Sequence, residues 1–566
     1  MSKTLRIIFL LAIITVGISI NLKSPGRISK AQEASNSAWI AGFVYDMQNQ
    51  PVEGADVSLL GNPEVSIAEA STQADGGYSL AVPEAVPKEV HLRIERPHFE
   101  EVTLQLDSGT IQNLGVGETI TLQDVALQRR INTAFWIATF IFVSVLVLIA
   151  TGVFHNTLSA LIGASLVFLI SYLGNPISED LYIFNFESAL GYIDWNVIFL
   201  VMGMMIVIAV VENTGIFQWL AFFAYRISGG RTWLLLTILM IITGIASAFL
   251  DNVTTMLLMT PISIQIAITL GITPLALLIP EVMASNVIGV STLVGTPTNI
   301  LIGSYANISF NDFLVNLTPG VLLAFIGLLI YCGFIYRRDL SQAKSASPLL
   351  MSRLAERGRI TRPGHLKKAG VIGAGMLILF ILGERIHLLP AVTALIGATA
   401  LMVWIRPNID EMIEAVDWTT LVFFISLFIV VGAIQEVGVI SFIADTIRRI
   451  VGDNLVLTML AVTWFSAILS TVVANIPFTA AMLPVVGFLT ATIPGAQSKV
   501  LFYCLSVGSA MGGNGSLIGA SANMITSGIS DGAGYPITYA YFLKKGFPAL
   551  LITVGLATLW LLYHFL

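Results

Sequence analysis

Between residues 37 and 130, apolar and polar residues alternate in short runs such as "AWIAGFVYD", "GADVSLL", "GGYSLAV", "EVHLRIE", "EVTLQL" and "TITLQDVAL". Gly, Pro, Asn and Asp separate the runs. Period-two runs bounded by turn formers predict β-strands, and about seven of them predict a small sandwich. After Arg129-Arg130 the alternation stops and long apolar spans begin: 132–151, 157–173, 197–211, 233–250, 254–270, 274–302 and 315–336. A polar stretch at 337–368 interrupts them, and a second set follows at 369–382, 388–405, 419–434, 455–470, 477–489, 500–525 and 548–562. Runs near twenty residues are long enough to cross a bilayer and those near fifteen are marginal. Ahead of all this, Lys3 and Arg6 precede a short apolar run from Ile7 to Ile20 and then Ala31. That order predicts a signal peptide over 1–31, with an uncleaved anchor as the alternative.

The two sets of spans repeat each other. "YIDWNVIFLVMGMMIVIAVVENTGIF" aligns with "AVDWTTLVFFISLFIVVGAIQEVGVI", placing Asp194 over Asp417 at an offset of 223 (417 minus 194). At that offset "SAFLDNVTTMLLMTPI" falls on "STVVANIPFTAAMLPV", pairing Asn252 with Asn475. One residue out of step, "LVGTPTNILIG" falls on "LIGASANMITS", pairing Asn299 with Asn523.

Composition and charge then set the class. The chain has 566 residues, 56% hydrophobic and 11% charged, with a mean hydropathy of +0.85, which excludes a soluble protein and predicts a multi-pass protein of the cell membrane whose partner is the lipid bilayer. The net charge of −6 points to no nucleic acid. Cys332 and Cys504 stand far apart in apolar runs and offer no disulfide framework. In 337–368, nine Lys or Arg (337, 338, 344, 353, 357, 359, 362, 367, 368) face Asp339 and Glu356, which predicts a cytoplasmic loop. An odd number of crossings then puts the β-domain and the C-terminus outside, and Gly174 to Asn196, with four acids and no Lys or Arg, outside with them. Arg448 and Arg449 fall on the wrong side of this scheme. An odd count per repeat inverts the second half, and inverted repeats with interrupted polar segments mark a secondary transporter with its site near the midplane.

The candidate chemistry lies where polar residues break the spans. Asp251 and Asn252 interrupt one of the most hydrophobic runs, where an ionisable group is costly and functional by default. Irregular backbone at that depth must be enclosed in protein or face water, as at a hairpin tip. "GTPTN" (Gly295 to Asn299) and "GASAN" (Gly519 to Asn523) should unwind their spans, because proline removes a backbone hydrogen bond. Freed carbonyls with Thr296, Thr298 and Asn299 would then cradle a hard cation, or donors an oxyanion. Thr254 beside the first tip, Thr479 beside the second, and Asn514, Ser521 and Asn523 complete a mirrored half-site with Asn475. Glu212, Glu281 and Asn286 are further coupling candidates. Asp251, Asn252 and Asn299 are the candidate Na⁺ ligands. No HExxH, GxSxG or paired catalytic acids occur in the spans, so no enzyme is expected.

"IAGFVYDMQNQPVEGADVSL" and "TQADGGYSLAVP" resemble the carboxypeptidase regulatory-like domain, on Gly42, Asp46, Pro51, Gly54, Ala55, Val57, Asp75, Gly76 and Tyr78. "SAFLDNVTTMLLMTPI", "VGTPTN", "ANIPFTAAMLPV" and "GGNGSLIGASAN" resemble the ion transporter superfamily, in the branch of the melanosomal P protein, arsenite permeases and NhaD-type sodium/proton antiporters, with a citrate-transporter-like membrane domain. That resemblance, over about residues 132–566, implies scaffold and transport parts in each half, two re-entrant hairpins, homodimers and alternating access. Divalent-anion/sodium symporters of the superfamily carry Ser-Asn-Thr at each hairpin tip, where this chain has Asp251-Asn252-Val253 and Ala474-Asn475-Ile476. Hydroxyls that would serve a carboxylate are gone and one negative charge is gained. Cation/proton exchange therefore ranks first, a proton- or sodium-coupled carrier of arsenite, chloride or citrate second, and a receptor using the β-domain last. No cofactor is implied beyond transported or coupling Na⁺ or H⁺. The expected architecture is a polytopic α-helical membrane protein of two inverted repeats, each of about five transmembrane helices plus a re-entrant hairpin, after a small all-β sandwich. Its parts are 1–31, 37–130, a first repeat at 131–336, the basic loop at 337–368 and a second repeat at 369–566.

Overall fold

The computed structural model describes residues 38–47, 51–62, 65–82, 90–106, 119–122, 124–342 and 358–566. The expected signal segment, and Lys344, Arg353, Glu356 and Arg357 of the basic loop, lie outside the described residues. Two compact units divide after Asn132.

Among the described residues the first unit is a sandwich of eight strands: β1 (Ala38–Asp46), β2 (Asp56–Asn62), β3 (Val65–Ser71), β4 (Gly77–Val82), β5 (Val90–Glu95), β6 (Val102–Leu106), β7 (Thr119–Thr121) and β8 (Val125–Leu127). One sheet runs β4-β1-β7 with β8 also on β1, the other β3-β2-β5-β6. Alternation in the sequence becomes alternation in burial: Tyr78, Leu80 and Val82 of β4 meet Leu92 and Ile94 of β5 in a shared core. The turn into β4 needs glycine at Gly76, whose φ is +78°, and the Asp75 side chain accepts the Gly77 N–H at 2.9 Å.

The second unit is helical. Its longer helices in the first half are α1 (Thr133–Thr151), α2 (Asn156–Gly174), α3 (Trp195–Glu212), α4 (Ile216–Ser228), α5 (Thr232–Phe249), α6 (Asn252–Leu270), α7 (Leu275–Ile288), α8 (Pro297–Ala306) and α9 (Phe310–Ile335). The second half repeats them in order: α10 (Pro363–Leu382), α11 (Pro390–Ile405), α12 (Trp418–Glu436), α13 (Val439–Val451), α14 (Leu455–Leu469), α15 (Asn475–Thr492), α16 (Val500–Gly512), α17 (Ser521–Gly532) and α18 (Tyr539–Phe565). The repeated sequence signals are helix caps. Asp194 accepts from the N–H groups of Asn196 and Val197, and Asp417 from those of Thr419 and Thr420. Gly215 and Gly438, both left-handed, turn the chain from α3 into α4 and from α12 into α13.

Helices pair across the halves in a reciprocal way that matches a pseudo-two-fold relation: α2 with α12 and α3 with α11, α6 with α17 and α8 with α15, α9 with α18. Among the described residues ten helices are long and apolar enough to cross a membrane. The unwinding expected of the 274–302 and 500–525 spans occurs, since each breaks into a helix, a 3-10 turn and a second helix. The α5–α6 hairpin tip packs beside the first break, with Thr292 Oγ1 donating to the Ala248 carbonyl, which puts the tip at mid-height of the broken helix.

The amphipathic helices α4 and α13 are absent from the expected spans, because their apolar faces alternate with polar ones and no continuous run marks them. Arg448 and Arg449, which disagreed with the charge scheme, lie on α13, where Arg448 pairs with Asp453 at 3.3 Å.

Candidate functional site

Four helix N-termini meet at the centre: those of α6 at Asp251, α8 at Thr296, α15 at Ala474 and α17 at Ala520. They border a cavity of about 500 Å³ that also reaches α3 and the first turns of α2 and α12. Asp251 is the N-cap of α6. Its carboxylate accepts the Thr254 N–H at 2.8 Å and the Thr254 hydroxyl at 2.7 Å, which satisfies an otherwise orphaned helix N–H. The same carboxylate faces the cavity, with Thr254, Ser521 and Glu212 on its walls.

Behind this surface lies a sealed asparagine network. Asn252 Nδ2 donates to Asn286 Oδ1 at 2.8 Å, and Asn286 Nδ2 donates to Asn514 Oδ1 at 2.9 Å and Asn523 Oδ1 at 3.0 Å. All four are at most 3% exposed, and buried amides must find partners. The network ties the first hairpin to the second break across the two halves.

Asn299 and Asn523 play matching roles within their own breaks. Asn299 Nδ2 donates to the carbonyls of Val290 and Thr292 at 2.9 and 2.8 Å, and Asn523 Nδ2 to those of Gly513 and Ser516 at 2.8 and 2.9 Å. Two carbonyls of each break are therefore taken by an amide rather than left free. Thr296 caps α8 by accepting the Asn299 N–H and shares a 3.0 Å hydrogen bond with Thr298; both are buried. Thr479 donates to the Asn475 carbonyl at 2.7 Å. Asn475, although aligned with Asn252, makes no side-chain hydrogen bond to a described residue, whereas its N–H donates to the Gly519 carbonyl at 3.3 Å.

Of the expected Na⁺ ligands, then, Asp251 faces the cavity, while Asn252 and Asn299 turn into separate hydrogen-bonding clusters that share no partner. Gly295 sits in the first break with no room for a side chain: a Cβ would stand 2.4 Å from the Gly289 carbonyl oxygen and 2.8 Å from that of Ser247. Gly295→Ala is expected to destabilise the protein by about 1–3 kcal/mol in detergent-solubilised unfolding. Gly528→Ala, with open space around it, is the control and should not.

Sequence reasoning missed two titratable groups on the cavity, Asp417 and His155. Asp417 was visible only as a repeat marker before α12. Burial pushes its carboxyl up, but hydrogen bonds from Thr419 and Thr420 outweigh this and hold it below the ordinary carboxylate range, so it stays charged. Across the gap, Thr157 of α2 donates to the Thr419 carbonyl at 2.8 Å. Glu212 closes another side and also borders a second cavity of about 610 Å³ with Arg359 and Thr361. Thr361 N–H donates to the Thr214 carbonyl at 2.9 Å, fixing the Glu212 end of α3 on the side of the basic segment.

The sequence matches the citrate transporter family over residues 146–498. It is 35% identical to the Uncharacterized transporter Mb2703 of Mycobacterium bovis, over 76% of this chain and 99% of that one. It is 30% identical to the human P protein, over 76% of this chain and 60% of that protein. A solved structure of Neisseria gonorrhoeae MtrF aligns at 12% identity over 76% of this chain and 94% of its own, with a TM-score of 0.47, a likeness too slight to bear on function.

Proposed function

The chain belongs to the citrate transporter family, and from that premise we propose a secondary active transporter that exchanges a monovalent cation, Na⁺ first, for H⁺ at Asp251. The observation that carries this reading is the charge on the central cavity. Its titratable lining is Asp251, Glu212, Asp417 and His155, with no Lys or Arg among the described residues. Such a surface attracts cations and repels polyanions. A carboxylate that holds either one proton or one Na⁺ exchanges them by competition, and Thr254 and Ser521 supply neutral oxygens for the larger ion. With the basic segment in the cytoplasm, the Glu212 side of the cavity is the inner mouth. Alternating access then moves the hairpins and broken helices against α3 and α12. A homodimer fits the resemblance that the motifs carry.

A second reading has its own support. The N-caps of α15 and α17 are Ala474 and Ala520, which provide no side-chain cap, and free helix N-termini bind anions. An organic acid such as citrate, for which the family is named, would be held there with a cation at Asp251 neutralising part of its charge. Fluxes of Na⁺, Li⁺, citrate, arsenite and chloride in proteoliposomes under imposed pH gradients separate the two. Exchange predicts that Na⁺ or Li⁺ alone dissipates the pH gradient. Proton-driven citrate uptake without any Na⁺ or Li⁺ response would sink it.

A further inference from the structure

Glu281 stands apart from the central cavity, in α7, where every residue from Ala276 to Ile288 is buried. It is 0% exposed. One carboxyl oxygen, Oε2, accepts from Ser263 Oγ of α6 at 2.9 Å and from Thr243 Oγ1 of α5 at 3.3 Å. The other, Oε1, is buried with no hydrogen-bond partner. The helices that supply the two hydroxyls contain no titratable side chain within Thr232–Phe249 or Asn252–Leu270. Other helices packed on α7 bring Asp312, Tyr331 and Cys332 (α9), Tyr503 and Cys504 (α16), Asp531 (α17), and Lys544, Lys545, His564 and tyrosines (α18). Among the described residues none of these makes a hydrogen bond or ion pair with Glu281, whose polar contacts are the Ser263 and Thr243 hydroxyls.

The second half offers no equivalent. At the matching positions stand Leu505, Val486 and Ser466. A symmetric packing need would have a counterpart there, so the carboxyl is an addition to one half. An unpaired carboxylate in such a place is strongly disfavoured, and a group so placed neutralises rather than keep its charge.

We propose that Glu281 is a resident proton-binding site of the hairpin core, separate from Asp251. The proton sits on the carboxyl while α5, α6 and α7 enclose it. When water reaches the carboxyl between α5, α6 and α7, the O–H bond breaks, the proton passes to that water and the carboxylate stays behind. This deepens the transporter reading but does not depend on Na⁺ as the transported ion.

The test uses the full-length protein in lipid. Infrared spectroscopy at neutral pH is expected to show the C=O stretch of a protonated carboxyl that is lost in Glu281→Gln and kept in Asp251→Asn. Absence of that band in the wild-type protein, or its persistence in E281Q, overturns the proposal. Because this readout involves no transport, a failure of Na⁺/H⁺ exchange leaves it intact. In proteoliposomes the pH profile of flux should lose one titration in E281Q; an unchanged profile overturns the coupling role. If E281Q does not fold, Ser263→Ala removes one hydrogen bond to Oε2 and should shift the band, and an unshifted band counts against the site.

Discussion

Asp251→Asn is expected to abolish pH-dependent Na⁺ movement while the protein stays folded. Asparagine serves an N-cap about as well as aspartate, so the start of α6 and its bond from the Thr254 N–H should persist. What disappears is one full charge facing the cavity. At about 4 Å and an effective dielectric near 20, that charge contributes roughly 4 kcal/mol to a bound cation, or about a thousandfold in affinity. Asp251→Ala removes the cap as well and should lose a further ~1 kcal/mol of stability. The measurement pairs Na⁺-driven pH changes in proteoliposomes with unfolding in detergent. Intact exchange in D251N would remove Asp251 from the mechanism.

Asn286→Leu is expected to be the most damaging single change to the fold. Its amide accepts from Asn252 and donates to both Asn514 and Asn523. Leucine would leave one buried donor and two buried acceptors without partners, at about 1–3 kcal/mol each, so a loss of about 3 kcal/mol or more should appear as a large drop in detergent melting temperature or as failure to accumulate. Asn475→Leu, at the position aligned with Asn252 but with no side-chain hydrogen bond to a described residue, should cost much less. Equal costs for N286L and N475L would show that the network does not hold the halves together.

Much of the architecture was legible because its signals are local. Alternation over 37–130 set the strands, since one face of a half-buried sheet must be apolar. Runs of apolar residues set the spans, and the pairs Asp194 with Asp417 and Gly215 with Gly438 recur because a helix start and a left-handed turn each demand a particular residue type. The helices α4 and α13 escaped notice for the same reason in reverse: an amphipathic helix has no continuous run.

The candidate site was legible as an address but not as an arrangement. By itself the sequence determined two inverted repeats, the breaks at Gly295 and Gly519, and a polar tip at Asp251-Asn252, because a break in a buried helix needs glycine, proline or a capping side chain whatever surrounds it. Only the tertiary structure decided that Asp251 faces a cavity while Asn252 turns away from it, that Asn286 joins residues as far off as Asn523, 237 positions along the chain, and that Asp417 and His155 share the cavity wall. Helix α7 is buried on all sides, so it has no polar face from which orientation could be read, and the partner of each side chain is chosen by helices from the other repeat.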